Sequence, residues 1–110
     1  MAYDEDLAQR VRGQLSGEAG LSERAMFGRL ALLLDGNMSV AISGEDLMVR
    51  VGPAAAEDAL SRPHARPCKM TGRPMRGWIL VAPGGVETDG DLAGWVRRGV
   101  ELARSLPAKR

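Results

Sequence analysis

The chain has 110 residues and a net charge of +1, with 15 Lys plus Arg against 14 Asp plus Glu. That length suits one domain spanning residues 1–110, and 45% hydrophobic residues is the level of a folded globular chain. Balanced charge argues against a nonspecific polyanion binder; one Cys and one His exclude the usual structural zinc sites and a disulfide framework; 4% aromatics leave the core to Leu, Val, Ile, Met and Ala.

The opening Met1–Asp6 is acidic and lacks the cationic start and apolar run of a signal peptide. The apolar run Leu30–Leu34 is far short of the roughly 18 residues that suggest a membrane span. A cytoplasmic protein is expected, and the lone thiol agrees with a reducing compartment.

The first segment reads as a helix, with Leu7, Val11 and Leu15 on one stripe and Asp4 placed to cap it. Gly13 weakens that helix by about 1 kcal/mol relative to Ala, and Gly17 and Gly20 end it. Met26–Leu34 reads as one strand, and Asp35-Gly36-Asn37 is a strong turn signal. Met38, Val40 and Ile42 then alternate with Ser39, Ala41 and Ser43, the pattern of a strand with one buried face. A turn at Ser43–Asp46 leads to Leu47, Val49 and Val51 alternating with Met48 and Arg50, completing a three-stranded meander.

Gly52-Pro53 opens a short helix over Ala54–Leu60, with Ala56, Ala59 and Leu60 placed to face the sheet and Pro63 as its stop. From Arg62 to Gly77 the chain is rich in Pro, Gly and Arg, and only Cys68–Met70 suggests a short strand. Trp78–Ala82 reads as a strand buried on both sides. The last helix is capped by Thr88 or Asp89 and buries Leu92, Trp95, Val96, Gly99, Leu102, Ala103 and Leu106; Pro107 ends it, leaving residues 108–110 as a frayed tail. The expected architecture is α+β: an antiparallel five-stranded sheet in the order α-β-β-β-α-β-β-α, with the helices packed on it.

Several of these residues also carry a family resemblance. Arg24-Ala25-Met26-Phe27-Gly28, Gly36-Asn37-Met38, Leu47–Val51, Gly72–Trp78 and the closing helix with Trp95 occur in the order that resembles the N-terminal domain of the TfoX/Sxy family of bacterial competence regulators. The resemblance runs from about residue 5 to residue 107. It implies a small α+β domain and a regulatory role, and it attaches no catalytic residue. Full-length members carry a second, helical domain and act with the cyclic-AMP receptor protein; this chain is expected to be a short stand-alone relative.

No constellation of reactive residues stands out. His64 and Cys68 are four apart, but the segment is interrupted by Pro and nothing is placed to orient the imidazole, so an inert thiol and a surface His are expected. Glu45-Asp46 and Glu57-Asp58 fit a turn and a solvated helix face. Gly84-Gly85 lacks the Lys and Ser/Thr of a phosphate loop. No cofactor and no metal are expected.

Charge distribution says more than its total. Residues 59–86 hold Arg62, Arg66, Lys69, Arg73 and Arg76 and no acid, whereas residues 1–58 carry a net −5. The cations either meet an acidic partner or nucleic acid, or neutralise the acidic first half within the fold. An arginine of the Arg73–Arg76 stretch is also placed to lie on Trp78. The six methionines fill an aromatic-poor core or form an adaptable patch. Met48 and Arg50 fall on the sheet face opposite Leu47 and Val49, a face three helices would leave partly uncovered.

The expected function is therefore a non-enzymatic regulatory or accessory module acting through a protein partner or as a homodimer. Its candidate contact residues are Met48, Arg50, Arg62, Arg66, Lys69, Arg73 and Arg76. The alternative is a nucleic-acid-associated regulator that uses the basic segment 62–76.

Overall fold

The computed structural model describes residues 3–70 and 73–108, with the side chains of Met70, Arg73 and Pro74 left aside. Among these residues are helices α1 (Glu5–Leu15), α2 (Ala56–Leu60) and α3 (Asp89–Arg104). The strands are β1 (Leu21–Met26), β2 (Arg29–Leu34), β3 (Asn37–Ser43), β4 (Asp46–Arg50), β5 (Ala65–Met70) and β6 (Arg73–Val81). All strand pairs are antiparallel, in the order β1-β2-β3-β4-β6-β5.

The α+β class holds, but the sheet has six strands where five were expected. The apolar run that reads as one strand is cut by a two-residue turn in which Phe27 (φ 51°) and Gly28 (φ 74°) are both left-handed. That geometry matches the twist of a tight hairpin, so β1 folds back on β2 in register from Leu21 opposite Leu34 to Met26 opposite Arg29. Asp35 and Gly36 repeat it between β2 and β3, with φ 51° and 82°. The second difference lies in residues 62–77. There β5 and the first half of β6 form a hairpin arm, although Pro67 and Pro74 disguise it, because an edge strand tolerates missing N–H donors.

Both long helices begin as the sequence indicates. Asp4 Oδ1 accepts the Leu7 N–H at 3.1 Å, and Thr88 Oγ1 accepts the Asp91 N–H at 3.0 Å. The stripes Leu7, Ala8, Val11, Leu15 of α1 and Leu92, Trp95, Val96 of α3 pack on Leu30, Leu32, Val40, Ile42, Leu47, Val49, Ile79 and Val81, one face of the sheet. α2 is shorter than expected. Only its Ala59 is buried, and Leu60 points outward, 38% exposed. Arg12 of α1 forks onto Glu23 of β1 at 2.8 and 2.9 Å, which holds the Glu23 carboxyl below its ordinary pKa. Of the expected frayed tail, Ala108 is exposed, and residues 109–110 lie outside the described residues.

Strict alternation in β3 fails at one residue. Val40 pairs with Leu32 and Met38 with Leu33, so Ser39 is an inserted bulge residue and Met38 turns to the opposite face from Val40 and Ile42. The bulge is buried but satisfied: Ser39 Oγ donates to Leu32 O at 2.9 Å. Directly above it sits Gly99 of α3, where an added Cβ would lie 2.5 Å from Ser39 O and 2.9 Å from Val40 Cγ1. β3 is thus covered on both faces rather than one.

The second face carries a smaller cluster of its own. Ala31, Leu33, Ala41, Met48 and Cys68 are buried there, with Met38, Met75, Trp78 and Leu80 packed around them. The arm swings at Gly77 (φ 82°), whose carbonyl accepts both the Val51 and Gly52 N–H groups, at 2.8 and 3.0 Å. Met75, Arg76, Gly77 and Trp78 stand opposite Cys68 alone, so β5 and β6 part locally.

The two glycines make a paired prediction. Gly13 in α1 has nothing within 4 Å of an added Cβ, so Gly13→Ala is expected to stabilise by about 1 kcal/mol. Gly99→Ala, the same change in α3, is expected to cost about 1–2 kcal/mol net, because overpacking against backbone outweighs helix propensity. Denaturant melts of both variants check the opposite signs.

Candidate functional site

Met48, a candidate contact residue, is 3% exposed and lies inside the second-face cluster. It does fall on the face opposite Leu47 and Val49, but that face is not open at Met48, because Met75, Trp78 and Leu80 pack around it. Arg50 is half-buried in register with Trp78. The methionines here fill irregular space in a core short of aromatics.

The basic segment is split by the fold. Arg66 pairs with Asp46 at 3.0 Å and Arg62 with Asp58 at 3.7 Å, so two of its cations meet acids of the first half. Lys69 and Arg76 are exposed on the β5–β6 arm, and the side chain of Arg73 lies outside those described. Exposed ion pairs of this kind contribute little to stability. Among the described residues the aromatic–cation contact is that of Arg98, 5.4 Å from the centre of the Trp95 ring; of the two arginines expected near Trp78, the side chain of Arg73 lies outside them. Arg98 reaches Asp58 as well, at 3.0 Å, and this guanidinium, with Arg62, pulls the Asp58 carboxyl below its ordinary value.

His64 and Cys68 are kept apart. His64 is exposed at φ 68°, and its ring lies against Gly84 and Gly85, where an added Cβ at Gly84 would come within 2.7 Å of the imidazole. It borders a shallow open cleft of about 530 Å³ lined also by Arg62, Gly94, Trp95 and Arg98. Cys68 is buried on the second face, with Sγ 3.7 Å from Met75 Sδ, and burial pushes its thiol pKa up. A buried thiol with no base beside it is a packing group rather than a nucleophile. Among the described residues no three His, Cys, Asp or Glu side chains gather to hold a metal, and no helix is long and apolar enough to cross a membrane.

One exposed residue was not singled out from the sequence. Phe27 sits at the tip of the β1–β2 hairpin and is 93% exposed, while its φ of 51° is left-handed. A phenylalanine in that conformation is strained, and its ring contributes almost nothing to the core. Gly28 within an apolar run, between Arg24 and Arg29, is the signal that marks the turn.

The state of the thiol is directly testable. Cys68 is expected to react with a thiol reagent at pH 8 at least about tenfold more slowly than in the denatured chain, because both access and thiolate fraction are reduced. Absorbance-monitored labelling with and without denaturant measures the ratio.

Comparison with known proteins places this geometry in a family. The family model of the TfoX N-terminal domain matches residues 13–103. No curated protein and no solved structure matches the chain.

Proposed function

The chain belongs to the TfoX N-terminal domain family, whose role is regulatory or accessory, and on that premise we propose that it acts by binding another protein through the tip of its first hairpin. The observation that carries this reading is Phe27, an aromatic ring 93% exposed on a strained backbone. Left-handed backbone costs a residue with a Cβ about 1–2 kcal/mol. Fold stability alone would place glycine there. Burying the ring against a partner returns about 1.5–3 kcal/mol, enough to make it an anchor.

The same reading moves the contact away from Met48, which is enclosed, to a projecting element that a partner can reach without opening the core. Arg24, exposed on β1, and Arg29, half-buried beside the turn, flank the ring and favour a partner surface with acidic groups beside an apolar pocket. No catalytic step is assigned, since among the described residues neither the thiol nor the imidazole has a partner arranged for chemistry. The nucleic-acid alternative has Lys69 and Arg76 on the β5–β6 arm in its favour. Against it stand the ion pairs that already hold Arg62 and Arg66.

Phe27→Gly separates the roles of fold and contact. It relieves left-handed strain but adds entropy to the unfolded chain, so Tm is expected to stay level or rise slightly. Capture of the partner from host extract is expected to fall about tenfold or more. Equal capture by wild type and Phe27→Gly would overturn the reading. DNA retardation at low salt that is lost when Arg66, Lys69 and Arg76 become Ala would replace it with the nucleic-acid alternative.

A further inference from the structure

The two edges of the sheet are built differently. The outer edge of β5 carries Pro67, which has no N–H, a break in register at Cys68, and the exposed Lys69, all devices that prevent another strand from pairing. β1, the opposite edge, has no proline and no break in register, although it carries the exposed charges Glu23 and Arg24. Its ladder to β2 is regular over all six residues, and Ser22, Glu23, Arg24 and Ala25 are exposed.

The phase of that ladder fixes which main-chain groups are free. A two-residue turn is closed by a hydrogen-bonded pair, here Met26 with Arg29, and such pairs alternate along an antiparallel ladder. Arg24 with Ala31 and Ser22 with Leu33 therefore also bond inward. The Asp35 N–H to Gly20 O bond at 3.0 Å continues the same phase at the far end. Leu21, Glu23 and Ala25 are left with N–H and C=O directed away from the sheet.

We infer that this edge is a self-association surface, on which two copies join their β1 strands antiparallel about a twofold axis into one continuous sheet. The inference rests on the reading of the chain as an interaction module and names one occupant, a second copy. The argument for that occupant is the strand's own complementarity. A twofold register must match outward-facing residues with outward-facing residues, and the longest overlap sets Leu21 against the partner's Ala25 and Glu23 against the partner's Glu23.

In that register Leu21 meets a methyl group and Ser22 lies opposite the partner's Arg24, so no bare like charges face each other. The two Glu23 carboxylates do meet at the axis, but each is already held by its own Arg12 through two hydrogen bonds of 2.8 and 2.9 Å. A shift of one residue pair toward the hairpin tip would set the exposed Arg24 against the partner's Arg24. The pairing ends before the left-handed Phe27-Gly28 turn, so the ring stays outside this contact.

Ala25→Pro tests this directly, because it deletes an outward N–H and leaves the inward ladder intact. Sedimentation of the full chain up to about 1 mM is expected to show a dimer, with the dissociation constant rising about tenfold or more in Ala25→Pro at unchanged circular dichroism. If that variant misfolds, hydrogen exchange of the wild type serves instead: the Leu21, Glu23 and Ala25 amides are expected to become more protected as concentration rises. A monomer at every concentration, a dimer indifferent to Ala25→Pro, or protection confined to other amides would each overturn the inference. A monomer that still loses its partner on Phe27→Gly would overturn it while leaving the proposed function in place.

Discussion

The helix face depends on how closely α3 approaches β3. The Ser39 bulge lifts a backbone carbonyl out of the sheet, and Gly99 is the residue that lets the helix pass over it, since a Cβ there would sit 2.5 Å from that oxygen. With the helix seated so low, Leu92, Trp95 and Val96 share one core with Val40, Ile42, Leu47 and Val49. The helix ends are then tied down by long side chains. Arg104 reaches Glu18, the Ala19 carbonyl and Asp35, and Arg10 of α1 reaches the Val86 and Glu87 carbonyls just before α3. These bonds to carbonyls fix the angle of each helix more firmly than exposed ion pairs do, because they also satisfy main-chain acceptors.

The second face answers a different problem. A chain with 4% aromatics and three helices on one side of its sheet has little bulk with which to cover the other. It does so in part by turning the β5–β6 arm at Gly77, so that Cys68, Met48 and Met75 pack together with flexible, polarizable side chains. The helix face is then occupied and the second face partly so, and exposed features stand at the rim: the hairpin tip at Phe27, the regular edge of β1, and the cleft beside His64. Recognition from a rim leaves the core undisturbed, which suits a module whose family role is regulatory.

Much of this was legible before any coordinates. The Asp4 and Thr88 caps, the Leu7–Leu15 and Leu92–Ala103 stripes, the Asp35-Gly36 turn and the meander through β4 all follow from local chemistry, and all are present. The site was much less legible. Met48 was read as lying on a partly uncovered face because alternation shows which side of a strand a residue takes, not what lies over that side. Phe27 was read as strand interior because an aromatic in an apolar run is ordinarily buried, and a turn made by Phe-Gly has none of the usual Asn or Asp.

Residue spacing by itself determined the helices, most of the strands and their antiparallel class. These depend on periodicity and on bonds between residues a few positions apart. Tertiary structure alone decided the bulge at Ser39, the cluster that encloses Met48, the meeting of Arg98 with Trp95, and the contrast between the two sheet edges. Each of those joins segments distant in the chain, where the outcome is set by packing of whole elements against one another and leaves no periodic trace in the sequence.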